Sequence, residues 1–168
     1  MIHPSPTRLT RTGPALAAAL VMLAAAPTAM ASDYVIRLVT DGDQGRFLFE
    51  PSLLMAAPGD TVKFVPESRM HGVKSVAGML PAGAAPWRGR MGEEVTVHLD
   101  EPGVYGVKCP AGYEVGMVAL IVVGNDPANW DAARSVRHPP AASAAFDTLF
   151  ATTACDLQRA PPADCAVH

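Results

Sequence analysis

Seven apolar residues run without a break from Met117 to Val123, closed at either end by Gly116 and Gly124. A run this short between glycines fits a strand buried on both faces. Shorter alternating segments precede it. Tyr34–Val39 places Val35, Arg37 and Val39 on one face and Ile36 and Leu38 on the other. Pro58-Gly59-Asp60 is a turn, and the alternating stretch 61–66 follows it. Residues 95–99 alternate again, Glu101-Pro102-Gly103 turns, and 104–108 leads into Cys109. Strands at this spacing, with no helical pattern between them, predict an antiparallel sandwich or barrel.

The pattern changes after Gly124. Asp126-Pro127 has the form of an N-cap and first helical residue, which predicts a short helix through Arg134. Pro139-Pro140 interrupts. Phe146, Leu149 and Phe150 then fall on one helical stripe. Two short helices packed on the sandwich are therefore expected in residues 125–168, with 32–124 forming the β domain. The first 31 residues read differently. They carry Arg8 and Arg11 and no acid, then an apolar stretch from Ala15 to Ala26, and end on Ala29-Met30-Ala31. That is the pattern of an export signal with an A-x-A cleavage site. Pro27 closes the apolar stretch short of the roughly 20 residues a membrane span needs. The exported chain is thus expected to carry no span.

Export matters for the cysteines, because disulfides persist outside the cytoplasm. There are three, so one is left over. Cys155 and Cys165 lie ten apart in a proline-rich tail, and closing that loop stabilises by about 3 kcal/mol on the chain-entropy model. Cys109 then stands alone, and an unpaired thiol in an oxidising compartment survives by burial or by binding metal.

Cys109 has a soft neighbour. Cys109 ends one strand and Met117 begins the next, with seven residues between them. His71 lies in the loop that follows the strand 61–65. A sandwich can gather these loops at one end. Thiolate, thioether and imidazole together suit copper, above all Cu(I). A blue-copper site has two imidazoles and a thiolate in a plane with a long axial methionine, a mixed set that serves both oxidation states.

Phe49-Glu50-Pro51, Pro58-Gly59-Asp60-Thr61-Val62, His71, Pro102-Gly103-Val104-Tyr105-Gly106-Val107-Lys108-Cys109, the segment from Gly116 to Gly124 and Asp126-Pro127-Ala128-Asn129 together resemble the pseudoazurins. Those are small periplasmic blue-copper proteins of the cupredoxin family. The likeness spans roughly residues 34–137. It implies an all-β, cupredoxin-like Greek-key β-sandwich of about eight strands with two short C-terminal helices. It also implies one type 1-like copper ion, held by His71, Cys109 and Met117, and transfer of electrons to partners such as a periplasmic reductase. One departure is decisive. The family pattern Cys-x-x-His-x-x-x-x-Met becomes here Cys109-x-x-Gly112-x-x-x-x-Met117, so the exposed second imidazole is missing. Gly112 has no Cβ, which predicts a hole open to solvent that a small ligand can enter. A second departure is Gly72, where the family usually has an asparagine tying the ligand loops.

No other residue has ligand spacing: His98 is expected to face solvent, His138 to lie near the second tail helix, and His168 at the terminus. Glu114 is a harder ligand than Cu(I) prefers. Arg69, Arg88, Arg90 and Lys108 fall near the site if the family fold holds, and the resemblance implies a basic ring that steers redox partners. A net charge of -3 argues against nucleic acid as a partner. No nucleophilic triad, carboxylate dyad or phosphate-binding glycine loop is evident, so an enzyme is not expected, and a monomer is. Three functions follow from the residues: an electron carrier with an incomplete site, a Cu(I) delivery or storage module, or a metal-free interaction protein of the same fold.

Overall fold

In the computed structural model, which describes residues 30–43, 45–159 and 165, eight strands form two four-stranded sheets. The first sheet has the order β2-β1-β4-β6, from β1 (Asp33–Gly42), β2 (Gly45–Glu50), β4 (Asp60–Pro66) and β6 (Val95–Leu99). The second has the order β3-β8-β7-β5, from β3 (Leu53–Ala56), β5 (Lys74–Ser75), β7 (Gly103–Lys108) and β8 (Val118–Val123). Helices α1 (Trp130–Arg134) and α2 (Pro140–Asp156) follow. The architecture is the expected cupredoxin-like β-sandwich with two helices. The pairing is not purely antiparallel, because β1–β4 and β3–β8 run parallel.

The apolar run from Met117 to Val123 is buried throughout, and two separate cores explain why. Met117, Ala119, Ile121 and Val123 face the space between the sheets, with Ile36, Leu38, Phe49, Val62, Phe64, Leu99 and Tyr105. Val118, Leu120 and Val122 face the other way, onto Trp130, Phe146 and Phe150 of the helices. Alternation along one strand thus serves two layers. The helices cover a sheet face that would otherwise be wet.

Three local readings need correction. Val39 is buried although it shares its face with the exposed Val35; the expected inside-outside division of β1 fails at that position. Helix α1 starts at Trp130, not at Asp126-Pro127. Asn129 precedes it, and its side chain is spent on β7: Oδ1 accepts from Val104 N–H at 2.7 Å, and Nδ2 donates to the Val104 carbonyl at 2.9 Å. Tertiary anchoring therefore sets the start of this helix. Helix α2 begins on Pro140 itself, a proline tolerated in the first turn because its missing N–H has no helical partner there.

Cys155 and Cys165 are joined by a disulfide with Cα atoms 5.6 Å apart, and Cys109 is a free, buried thiol. Residues 1–29 of the expected export signal, and His168, lie outside the described residues. Among the described residues no helix is long and apolar enough to cross a membrane.

Candidate metal centre

His71, Cys109 and Met117 are gathered at one end of the sandwich, and each is buried. Cys109 directly follows β7 and Met117 directly precedes β8, and both residues belong to the core between the sheets. The segment between them is stitched tightly. Cys109 N–H donates to the Met117 carbonyl at 3.1 Å. The Gly112 carbonyl accepts from Met117 N–H at 2.9 Å and from Val115 N–H at 3.2 Å. Gly116 has φ +90, and a Cβ there lies 3.1 Å from the Ala141 carbonyl oxygen, so a glycine is needed where the segment presses on α2.

His71 comes from a different turn. Its N–H donates to the Ser68 carbonyl, and its own carbonyl accepts from Gly92 N–H. The ring is held on three sides. Nδ1 lies 3.9 Å from Cys109 Sγ, Nε2 lies 2.9 Å from Thr40 Oγ1, and the Phe47 ring meets it edge-on at 6.4 Å. When Nε2–H donates to the Thr40 hydroxyl, Nδ1 keeps its lone pair and points it at the sulfur. Burial lowers the His71 pKa against a smaller opposing effect of Glu67, which favours the neutral ring that binds metal. Thr40 and Phe47 escaped the sequence reading. They lie 31 and 24 positions from His71 and belong to strands whose pairing no local motif announces.

The 3.9 Å between Nδ1 and Sγ is less than ordinary metal–nitrogen and metal–sulfur lengths laid end to end, about 2.0 and 2.3 Å. One ion therefore fits between those two atoms without moving either. The donors are one nitrogen and two sulfurs, a set that suits copper. Among the described residues no three His, Cys, Asp or Glu side chains come together at one place.

The outer side of the site differs from the expectation in one respect. A cleft of about 290 Å³ lies there, lined by Phe47, Met70, His71, Ala111, Gly112 and Val115. So there is space beside Gly112, but not along its own Cβ direction. A Cβ on Gly112 lies 2.7 Å from Met117 Cβ and 2.9 Å from its Sδ. Its backbone angles, φ -104 and ψ 6, are open to other residues; it is Met117 packing that keeps the position bare. At Gly72 a Cβ lies 2.8 Å from Met91 Sδ, so that position is covered by a thioether.

The remaining candidates are engaged elsewhere. His98 is exposed on β6, with Nδ1 3.2 Å from Thr61 Oγ1. His138 Nδ1 is 2.6 Å from Tyr113 Oη, and its ring packs on Phe146. Glu114 is exposed in the short 3-10 turn Tyr113–Val115. Arg88 and Arg90 line a second cleft with Met91 and Pro110, Arg69 is exposed, and Lys108 Nζ sits 3.9 Å over the Tyr113 ring.

Residues 36–124 match the model of the copper binding proteins of the plastocyanin/azurin family. A pseudoazurin of Methylorubrum extorquens is 40% identical over 138 residues, covering 81% of this chain and 93% of that protein. One of Paracoccus pantotrophus is 36% identical over 135 residues, covering 80% and 93%. Among solved structures, pseudoazurin from Methylobacterium extorquens superimposes with a TM-score of 0.68 at 39% identity, over 71% of this chain and 97% of that one. Pseudoazurin from Hyphomicrobium denitrificans gives 0.67 at 32% identity, over 71% and 96%.

Proposed function

The chain belongs to the plastocyanin/azurin family of copper binding proteins, among the pseudoazurins, and from that premise we propose that it holds one copper ion on His71, Cys109 and Met117 and transfers electrons. It is an electron-transfer protein and not an enzyme. Its copper site is incomplete on the solvent side, where Gly112 stands in place of an imidazole. The export pattern at residues 1–31, with the sequence resemblance to the periplasmic pseudoazurins, supports a place of work in the periplasm.

The observation that carries this reading is the His71 ring. It is buried, anchored through Nε2 by Thr40, and aimed through Nδ1 at the buried Cys109 sulfur. A histidine kept only for packing has no need of both constraints. A bound copper ion supplies one-electron chemistry by passing between Cu(I) and Cu(II). The chain's own residues do the rest. Burial keeps the His71 ring neutral, Thr40 fixes which nitrogen carries the proton, and the inter-sheet core keeps water from the inner side. The apolar rim of Phe47, Met70, Ala111 and Val115 lets a partner approach closely. Arg69, Arg88 and Arg90, with Lys108 behind them, give that rim a positive border that speeds the approach of acidic redox proteins.

A second reading, Cu(I) delivery or storage, is favoured by Gly112. With no imidazole there, two of the three donors are sulfur, and soft donors hold Cu(I) in preference to Cu(II). Competition titration of the mature protein with Cu(I) tests the common ground of both readings. One equivalent should bind, and Cys109→Ser should weaken binding by about 100-fold or more, since even an outer-sphere partner is worth 10–100-fold. Equal affinity in wild type and Cys109→Ser would place any metal elsewhere.

A further inference from the structure

We propose that Met70 supplies the donor that Gly112 lacks, so that Cu(I) at this end of the sandwich is bound by one nitrogen and three sulfurs, from His71, Cys109, Met117 and Met70. This rests on the copper reading above. The cleft beside Gly112 limits the choice. Of its six lining residues, Phe47, Ala111, Gly112 and Val115 carry no side-chain donor atom. His71 is already assigned. Met70 is what remains, and its thioether is a soft donor of the kind Cu(I) prefers.

Three observations fit a ligand better than a packing residue. Met70 is 60% exposed, so its side chain fills no part of either core. A methionine has three rotatable side-chain bonds, and one that is part of neither core is free to turn toward an ion. Its backbone is held by the same turn that holds His71: Met70 N–H donates to Ser68 Oγ and His71 N–H to the Ser68 carbonyl, each at 3.3 Å. The two donors therefore start from one rigid corner. The surroundings also select the donor type. Phe47, Ala111 and Val115 make the cleft wall apolar, and a neutral thioether enters such a space without the desolvation cost that a carboxylate such as Glu114 meets. His98 and His138 are tied to Thr61 and Tyr113 and do not line the cleft.

X-ray absorption of the Cu(I)-loaded mature protein counts the sulfurs directly. Wild type should show three sulfurs and one nitrogen, and Met70→Leu two sulfurs. Cu(I) affinity should fall about tenfold or more in Met70→Leu, a direct ligand being worth no less than an outer-sphere partner. Met70 is exposed and leucine is close in volume, so the variant folds. Met91→Leu serves as a comparison, because Met91 is also 46% exposed but covers Gly72 and does not line this cleft. It should leave sulfur count and affinity unchanged. Two sulfurs in wild type, or a Met70→Leu protein identical to wild type, would overturn the proposal. So would a sulfur lost from Met91→Leu in place of Met70→Leu. Cys109→Ser, run in parallel, separates the two levels: if it loses copper while Met70→Leu does not, the copper reading stands and Met70 has no part in it.

Discussion

The inner and outer halves of the segment from Cys109 to Met117 differ sharply. Cys109 and Met117 belong to the core between the sheets, beside Phe64, Tyr105 and Ile121. Ala111, Glu114 and Val115 face solvent, Val115 being 63% exposed. On the proposed function, the inner residues thus answer to two demands, packing and metal ligation. The outer ones answer to the metal or the partner alone. A ligand can be lost at the outer position with little effect on folding and a large effect on chemistry. Gly112, at the boundary, is where we propose that this has happened.

The largest expected effect tests this division of labour. Met117→Ala should cost about 2–5 kcal/mol, as large-to-small changes in buried sites do. Val115→Ala should stay within about 0.5 kcal/mol, as exposed substitutions do. Urea unfolding of the metal-free protein measures both. A destabilisation of Val115→Ala equal to that of Met117→Ala would erase the distinction. Met117→Leu sharpens it further. That swap keeps the volume and should cost less than about 1.5 kcal/mol, yet it removes a sulfur, so Cu(I) affinity should fall while the fold holds.

Thr40→Val comes next. It removes the hydroxyl that meets His71 Nε2 at 2.9 Å. Affinity for Cu(I) should drop about 10–100-fold, and stability by about 1 kcal/mol for the lost hydrogen bond. Unchanged affinity would mean that the turn at Ser68 alone fixes the ring.

The smallest effect concerns the way α2 buttresses the outer half. His138, just before α2, meets Tyr113 Oη at 2.6 Å, and Lys108 lies over the same Tyr113 ring. Burial lowers the His138 pKa, Lys108 lowers it further, and Asp147 opposes them. Its folded pKa is therefore below the unfolded value of about 6.5. In acid the unfolded chain binds more protons, so stability is full above about pH 6.5 and is lost as the pH falls through the folded pKa. His71 shifts in the same direction. Metal-free wild type should have a lower urea midpoint at pH 5.5 than at pH 7.5, and His138→Gln should show a smaller drop. An equal drop in both would assign the pH dependence to His71 and other groups.

Much of this was legible in the residues, for identifiable reasons. The turns at Pro58-Gly59 and Pro102-Gly103, the alternation in β4 and β6 and the seven-residue spacing from Cys109 to Met117 are local signals, and the strands stand where they point. The odd cysteine count also singled out Cys109. What could not be read were relations over long separations. The parallel pairing of β1 with β4, the Thr40–His71 contact and the hold of Asn129 on β7 depend on which strands become neighbours. Nor does the sequence say that Met117 occupies the Cβ direction of Gly112. That contact narrows the hole expected at Gly112, because any side chain added there, as in Gly112→His, needs Met117 to move.

Imidazole added from solution has no such obstacle, and it gives the most direct test of the proposal that the copper site is incomplete. The mature protein should be titrated with Cu(II) and its visible absorption followed with and without imidazole. An open site lacks the second in-plane nitrogen of a blue-copper centre. The protein alone should therefore show no stable, intense blue band, and imidazole entering the cleft beside Gly112 should produce one. Cys109→Ser should stay colourless under both conditions. A protein that is stably blue without imidazole would contradict the account, because the protein itself would then supply the in-plane nitrogen that Gly112 cannot.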